Sequence, residues 1–288
     1  MDIHGWLEQA QATLHTALVT TSRLDCLVLL ADDLGKDKSW VLAHPEHELQ
    51  IEQIEKLNTK IVQRAQHTPL AYIRGKTEFY GREFTVNEHV LVPRPESETM
   101  IDILKKLAAK STTIGQDWLR LPLDDDPDDT NHIGTSIADV GSGSGCLGIT
   151  AALELGLKRV EFYDIDPTTF TIAKANARQH KIHGQYYQSD LLEHVEPHDI
   201  ILANLPYVPD KYTINQAAGH EPRLALFGGA DGLDLYRKMF AQLAGKPWRP
   251  WYILTEALPE QHSGLATIAK AAGYSLETTD DFIQVFTY

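Results

Sequence analysis

Cysteine is almost absent from this chain: Cys26 and Cys146 are the only two among 288 residues. They lie far apart, and neither has neighbours at metal-ligand spacing, so a disulfide framework and a cysteine-based metal site are both excluded. No metal is expected. Long apolar runs are missing as well, none approaching the roughly 18 residues that span a bilayer. The opening MDIHGWLEQAQ lacks a basic segment followed by an apolar one, so it does not read as a secretion signal. These absences point to a cytoplasmic protein with reduced thiols and no membrane partner. Basic residues are also in deficit, 26 Lys and Arg against 40 Asp and Glu, for a net charge of −14. Proteins that wrap bare RNA or DNA need a basic surface, because phosphate neutralisation supplies most of their non-specific affinity. The balance argues against a broad footprint of that kind, and no direct nucleic-acid partner is expected.

What is present divides the chain by pattern. Residues 1 to 75 read as a small helical domain: Ile3, Leu7, Ala10, Leu14 and Leu18 recur at helical spacing, as do Ile51, Ile54, Leu57 and Ile61. Between them an apolar stretch from Leu24 to Leu34 ends at Gly35, a helix stop. Residues 77 to 92 are rich in aromatic and β-branched side chains, with Gly81 and Asn87-Glu88 as turn signals, and predict a β-hairpin linker over 76–92. Pro93-Arg94-Pro95 then fixes a stiff turn, and Glu96, Ser97 and Glu98 open a helix to about Lys110. Across 111–135 the pattern dissolves, with five aspartates around Pro127 between 124 and 129, and reads as a solvated loop.

Strand and helix signals alternate from there to the end. Strands are expected at 136–140, 159–163, 185–188, 200–203, 251–256, 275–279 and 282–287, with helices at 146–156, 168–181, 232–244 and 260–272. The fold class is therefore α/β: a doubly wound, Rossmann-like, seven-stranded sheet over 93–288, joined to the helical domain by the hairpin. Only Asp280-Asp281 separates the last two strands, too short for a crossover helix, so the sheet closes with an antiparallel strand. That detail marks the methyltransferase version of the doubly wound fold.

Four constellations carry chemistry. Asp139-Val-Gly-Ser-Gly-Ser-Gly145 follows the first strand and opens a helix. Its glycines at 141, 143 and 145 permit a sharp turn and close approach of a ligand to the main chain. No lysine stands in a phosphate-loop position. In Tyr163-Asp164-Ile165-Asp166-Pro167, Asp164 directly follows the second strand and can accept from vicinal ribose hydroxyls, whereas Asp166 suits the cap of a helix starting at Pro167. Ser189-Asp190 ends the third strand, where an acidic group can meet an adenine amino group or cap a turn. Asn204-Leu205-Pro206-Tyr207 ends the fourth, reading [DN]-x-P-[YF], the pattern of methyltransferases acting on nitrogens conjugated to a π system. The Asn204 side-chain oxygen and a backbone carbonyl, that before Pro206, can each accept one N–H of a planar NH₂ and hold it for in-line attack. Tyr207 can cover its flat face. The tetrapeptide by itself leaves amide and adenine nitrogens equally open.

Residues 69–98, 139–149, 204–207 and 221–237, with the segment from Glu256 to Tyr274, resemble the release-factor glutamine methyltransferase family of the PrmC/HemK type. The stretches PLAYIRGKTEFYGREFTVNEHVLVPRPESE and EPRLALFGGADGLDLYR are the most specific. The resemblance implies methylation of the glutamine in the Gly-Gly-Gln loop of a peptide-chain release factor, with S-adenosylmethionine as donor and S-adenosylhomocysteine as product. It implies that Gly141, Ser142, Gly143, Ser144, Gly145, Asp164, Asp190, Leu191 and Asn204 bind the cofactor. Asn204, Leu205, Pro206 and Tyr207 would hold the glutamine, with Asn204, Pro206 and Tyr207 as the catalytic set. Arg94 and Glu96 would shape the pocket entrance or form a structural ion pair. The helical domain would recognise the release factor, and a monomer is expected. One position departs from the pattern: Leu205 stands where the family carries a second proline, which is expected to loosen the loop.

Three other readings are weighed against this one. An RNA adenine-N6 methyltransferase shares the tetrapeptide, but the acidic charge, the helical domain ahead of the Gly loop and the Pro-Arg-Pro-Glu segment count against it. A ribosomal-protein glutamine methyltransferase differs from it only in the 69–98 and 221–237 details. An inactive adaptor would not need the intact Gly loop, Asp164 and Asn204.

Overall fold

The computed structural model describes residues 1–114 and 135–288. The aspartate-rich run at 124–129 lies outside the described residues. The chain forms two compact units, Met1–Lys76 with Ile214–His220, and Thr77–Thr213 with Glu221–Tyr288.

The first unit contains helices α1 (Ile3–Thr16), α2 (Ser22–Leu34), α3 (Lys38–Ala43), α4 (Ile51–Ala65) and α5 (Leu70–Arg74). Asp2 caps α1 by accepting from Gly5 N at 2.8 Å, and Asp37 caps α3 by accepting from Trp40 N at 2.7 Å. Ile3, Trp6, Ala10 and Leu14 bury one face of α1 against Cys26, Leu29 and Leu30 of α2 and Leu57 and Ile61 of α4. Two residues of the predicted stripes fall outside this core. Leu18 lies past the end of α1 with φ of 60° and is 81% exposed, and Ile51, at the first position of α4, is 71% exposed. Helical spacing took in one position past the end of α1 and one in the exposed first turn of α4, neither of which faces inward. Inside the bundle, Arg64 Nε donates to buried Asp25 at 2.7 Å. His220, on the segment that joins this unit from far along the chain, places Nε2 2.9 Å from the Gln66 carbonyl.

The second unit begins at Thr77, within β1 (Lys76–Phe79), which forms with β2 (Arg82–Thr85) a two-stranded hairpin turning at Tyr80-Gly81. The strand signal predicted to continue to residue 92 does not become strand: Val86 and Val90 are buried without a ladder. Aromatic and β-branched content there reported burial, which a packed loop satisfies as well. A 3-10 turn (Pro95–Ser97) leads into α6 (Glu98–Ile114).

The sheet then builds from β3 (Ile137–Val140), α7 (Cys146–Leu155), β4 (Arg159–Asp164), α8 (Phe170–Gln179), β5 (His183–Gln188), β6 (Ile200–Ala203), α9 (Asp234–Gly245), β7 (Tyr252–Glu256), α10 (His262–Ala271), β8 (Ser275–Asp280) and β9 (Ile283–Thr287). Its order is β5-β4-β3-β6-β7-β9-β8, with β9 antiparallel to both of its neighbours. β3 and β6 are buried at every position, as central parallel strands covered on both faces must be. Alternate side chains feed two cores. Ile137, Ile200, Leu202 and Leu254 join α6 and α7 on one face, and Ala138, Ile201, Ala203 and Ile253 join α9 and α10 on the other.

The chain winds from β3 outward to β5 and returns to lay β6 beside β3. That reversal is a topological switch point, where the strand ends part and leave a crevice at their carboxyl side. Residues 141, 164, 189 and 204 all stand at or just past those ends.

One buried side chain ties the hairpin to the crevice. Asn176 on α8 accepts from Thr85 N at 2.7 Å and donates to the carbonyls of Thr85 at 3.0 Å and Ser144 at 2.9 Å. Asn176→Leu would fill similar volume but strand those three backbone groups. We expect a loss of about 3 kcal/mol in urea unfolding; an unchanged midpoint would show that the groups find other partners.

Candidate active site

The turn after β3 is built on glycines. Gly141, Gly143 and Gly145 have φ of 70°, 50° and 76°, in the left-handed region that side-chain-bearing residues enter at a cost. Gly141 N and Ser142 N donate to the Tyr163 carbonyl at 2.8 and 3.1 Å, fastening the loop to the end of β4. Beneath it, Asp139 accepts from Gly148 N at 2.9 Å. Burial pushes the Asp139 carboxyl up to about 7, against the lowering effect of that N–H.

Asp164, the last residue of β4, accepts from Gly143 N at 2.9 Å through one oxygen and from Asp166 N at 3.0 Å through the other. Burial raises its pKa, opposed by the N–H groups of Asp166, Gly143 and Ile165. Each carboxylate oxygen offers two lone pairs, so three N–H groups leave one acceptor position for a hydroxyl. Asp166 caps the turn at Pro167, accepting from Thr168 N at 2.9 Å. The Ser142 hydroxyl is buried in this loop and has no partner among the described residues. An orphaned hydroxyl, left-handed glycines and a ribose-type carboxylate at one strand-end crevice fit a nucleoside cofactor.

The turn after β5 is held by local hydrogen bonds and one ion pair. Ser189 N donates to the Asp164 carbonyl at 2.9 Å, and the Ser189 hydroxyl donates to the Leu191 carbonyl at 2.9 Å. Leu191 is buried with φ of 55°, a conformation that a branched side chain rarely takes. The Asp190 carboxylate pairs with Lys238 on α9.

The tetrapeptide after β6 is held on every side. Asn204 Nδ2 donates to Ser97 Oγ and to Glu256 Oε2, both at 3.0 Å, and Tyr207 Oη donates to Glu256 Oε1 at 2.9 Å. Burial and the adjacent Glu256 carboxylate push the Tyr207 pKa up, so the phenol stays neutral. The Tyr236 hydroxyl lies 3.0 Å from the Ala203 carbonyl and 2.5 Å from that of Glu256, and it accepts from Leu205 N at 3.3 Å. Leu205 is buried, with a methyl group 3.1 Å from where a Cβ on Gly141 would stand, so the tetrapeptide rests on the Gly loop. A proline at 205 could not donate to Tyr236. This chain holds the position with a hydrogen bond and core packing instead of a ring.

On the far side, Gln261 Nε2 donates to the carbonyls of Tyr207 at 2.8 Å and Asp231 at 2.7 Å. The backbone after Tyr207 pairs with residues 226–229, Val208 N reaching Leu226 O at 2.9 Å and Gly228 N reaching Val208 O at 3.0 Å. Arg94 pairs with buried Glu221 at 2.7 Å. Of the residues named from sequence, 141–145, 164 and 204–207 meet at one crevice.

Ser97, Glu256, Tyr236 and Gln261 were missed. Glu256 did carry a signal: it is a carboxylate closing the apolar strand YILTE, at the same level as Asp164 and Asn204. Among the described residues no His, Cys, Asp or Glu cluster is arranged to hold a metal, and no helix is long and apolar enough to cross a membrane.

A seven-stranded sheet closed by an antiparallel strand, with this crevice, defines a methyltransferase of the S-adenosylmethionine-binding α/β class. Residues 5–75 match the PrmC N-terminal domain family and residues 127–221 the methyltransferase small domain family. The release factor glutamine methyltransferase of Koribacter versatilis (strain Ellin345) is 33% identical over 250 residues, covering 84% of this chain and 81% of that protein. That of Coxiella burnetii is 31% identical over 271 residues, covering 92% and 89%. The hMettl16 catalytic domain, solved in complex with an RNA hairpin, superposes with a TM-score of 0.50 at 12% identity, over 83% of this chain and 82% of that one, a likeness of fold alone. The chain belongs to the release factor glutamine methyltransferase family.

Proposed function

We propose that this protein methylates the side-chain nitrogen of the glutamine in the Gly-Gly-Gln loop of a peptide-chain release factor. S-adenosylmethionine is the donor and S-adenosylhomocysteine the product. The observation that carries the reading is the Asn204 amide. Both its N–H groups are engaged inward, on Ser97 and Glu256, so its oxygen is the end left for a substrate.

The cofactor supplies a methyl group on a positively charged sulfur, a leaving group that departs neutral. The chain's own residues do the rest. Gly141 to Gly145 and Asp164 hold the nucleoside part. Asn204 Oδ1 and the carbonyl before Pro206 each accept one N–H of the glutamine NH₂, aligning its nitrogen and favouring the positive charge that grows there. Tyr207 covers the amide face. The product nitrogen returns one proton to solvent, and no strong base is required.

The helical region, residues 1–75, grips a separate part of the release factor, so that remote binding energy positions the loop. Residues 76–92 link it to the catalytic domain at 93–288. The protein works as a monomer in the cytoplasm, where release factors act.

Mass spectrometry of a release factor incubated with enzyme and cofactor tests this. A mass increase of one methylene on the Gly-Gly-Gln peptide is expected. Methylation found on rRNA or a ribosomal protein, with that peptide unmodified, would sink the reading.

A further inference from the structure

Glu256 is fully buried at the end of β7, yet three polar side chains converge on its carboxylate. Asn204 donates to one oxygen and Tyr207 to the other, and the Ser97 hydroxyl also bonds to the carboxylate while accepting from Asn204. Glu256 does not face solvent and is not available to a substrate. Its effect must run through Asn204, Tyr207 and Ser97, the side chains it touches.

An asparagine side chain has two ends of nearly equal size. Turned by half a rotation about χ2, it would present NH₂ where the oxygen had been. Burial pushes the Glu256 pKa up, opposed by the three side chains that hydrogen-bond to it; held ionised by them, the carboxylate is an acceptor only. With the amide reversed, Asn204 Oδ1 would stand against Glu256 Oε2 and face an acceptor without a proton between them. Only one orientation satisfies the pair.

We infer that Glu256 is a positioning residue that locks the Asn204 amide with its oxygen toward the substrate nitrogen and, with Ser97, excludes the reversed amide. The inference rests on the functional reading above and deepens it. Glu256 makes the site an acceptor of N–H groups, so it selects an NH₂-bearing substrate and rejects one that offers only a carbonyl or carboxylate at that point. Glu256 also explains why residue 204 is asparagine rather than aspartate in this chain. Two carboxylates at 3.0 Å in a buried site cannot both ionise, so an aspartate would have to share a proton with Glu256.

The complementarity can be exchanged. In Asn204→Asp the outer oxygen still accepts, but the inner one meets Glu256. In Asn204→Asp with Glu256→Gln, the glutamine NH₂ donates to the inner oxygen, and its carbonyl accepts from Tyr207. The experiment measures kcat, KM for the release factor and cofactor affinity by calorimetry in full-length protein. Glu256→Met is expected to lower kcat about 100-fold, with KM and cofactor affinity within about threefold of wild type. Asn204→Asp with Glu256→Gln is expected to turn over at least about tenfold faster than Asn204→Asp alone. A double variant no faster than that single one overturns the inference, as does a Glu256→Met enzyme with wild-type kcat. The comparison of the two aspartate proteins decides even if Glu256→Met fails to fold. Absence of release-factor methylation by the wild type would instead overturn the functional reading.

Discussion

Asn204→Ala should lower kcat by about two to three orders of magnitude and leave S-adenosylmethionine affinity within a factor of a few. In the proposed mechanism the substitution removes one of two acceptors for the glutamine NH₂. An amide nitrogen shares its lone pair with its carbonyl and attacks poorly, so the acceptors matter most as positive charge grows on nitrogen. That places the loss in kcat rather than in ground-state binding. Glu256 and Ser97 would each lose the Asn204 donor, costing stability in addition. Single-turnover methyl transfer to a release factor, with calorimetric titration of cofactor, separates these effects. Turnover near wild type would remove Asn204 from the mechanism; a collapse of cofactor binding would assign it to the cofactor instead.

The sheet was legible in the sequence because its signals were strong and mutually consistent. Four-residue apolar runs such as Ile200–Ala203 could only be buried strands, and the two residues between the last strands forbade a crossover. The Gly loop, Asp164 and Asn204 stood out because each breaks an apolar strand at the same end, where the fold opens its crevice. What was not legible depends on adjacency between distant segments. Tyr236 matters because its hydroxyl closes the gap between the ends of β6 and β7, and nothing in a helix stripe announces such a role. The pairing of Asp190 with Lys238 is of the same kind, joining residues far apart in the chain. The stretch after Thr85 carried strand-forming residues whose burial is met by loop packing, so composition was right about the interior and wrong about the ladder. Leu205 was judged by the ring it lacks, whereas its N–H is what Tyr236 uses.

Gly232→Ala is expected to be the most damaging small substitution in the molecule. The glycine has φ of 80°, and a Cβ placed on it would lie 2.0 Å from the Tyr207 carbonyl oxygen and 2.2 Å from Gln261 Nε2. Neither neighbour can yield cheaply. The carbonyl is backbone of the tetrapeptide proposed to hold the glutamine, and Gln261 is the side chain that fastens that same carbonyl at 2.8 Å. The methyl group must therefore push Tyr207 away or break its anchor, and Tyr207 is two bonds of peptide from the carbonyl before Pro206. Left-handed strain and overpacking together should cost about 3 kcal/mol. A displacement near 1 Å at the acceptors should cost about 100-fold in kcat. Gly81→Ala supplies the control. Gly81 has φ of 69° with nothing within 4 Å of its Cβ position, so only the backbone strain remains, about 1 kcal/mol with turnover unchanged. Denaturant titration and single-turnover rates on both proteins check the contrast. If Gly232→Ala behaved like Gly81→Ala, the tetrapeptide would have to be free to move without losing its chemistry, and the anchoring by Gln261, Tyr236 and Glu256 would be holding structure rather than substrate.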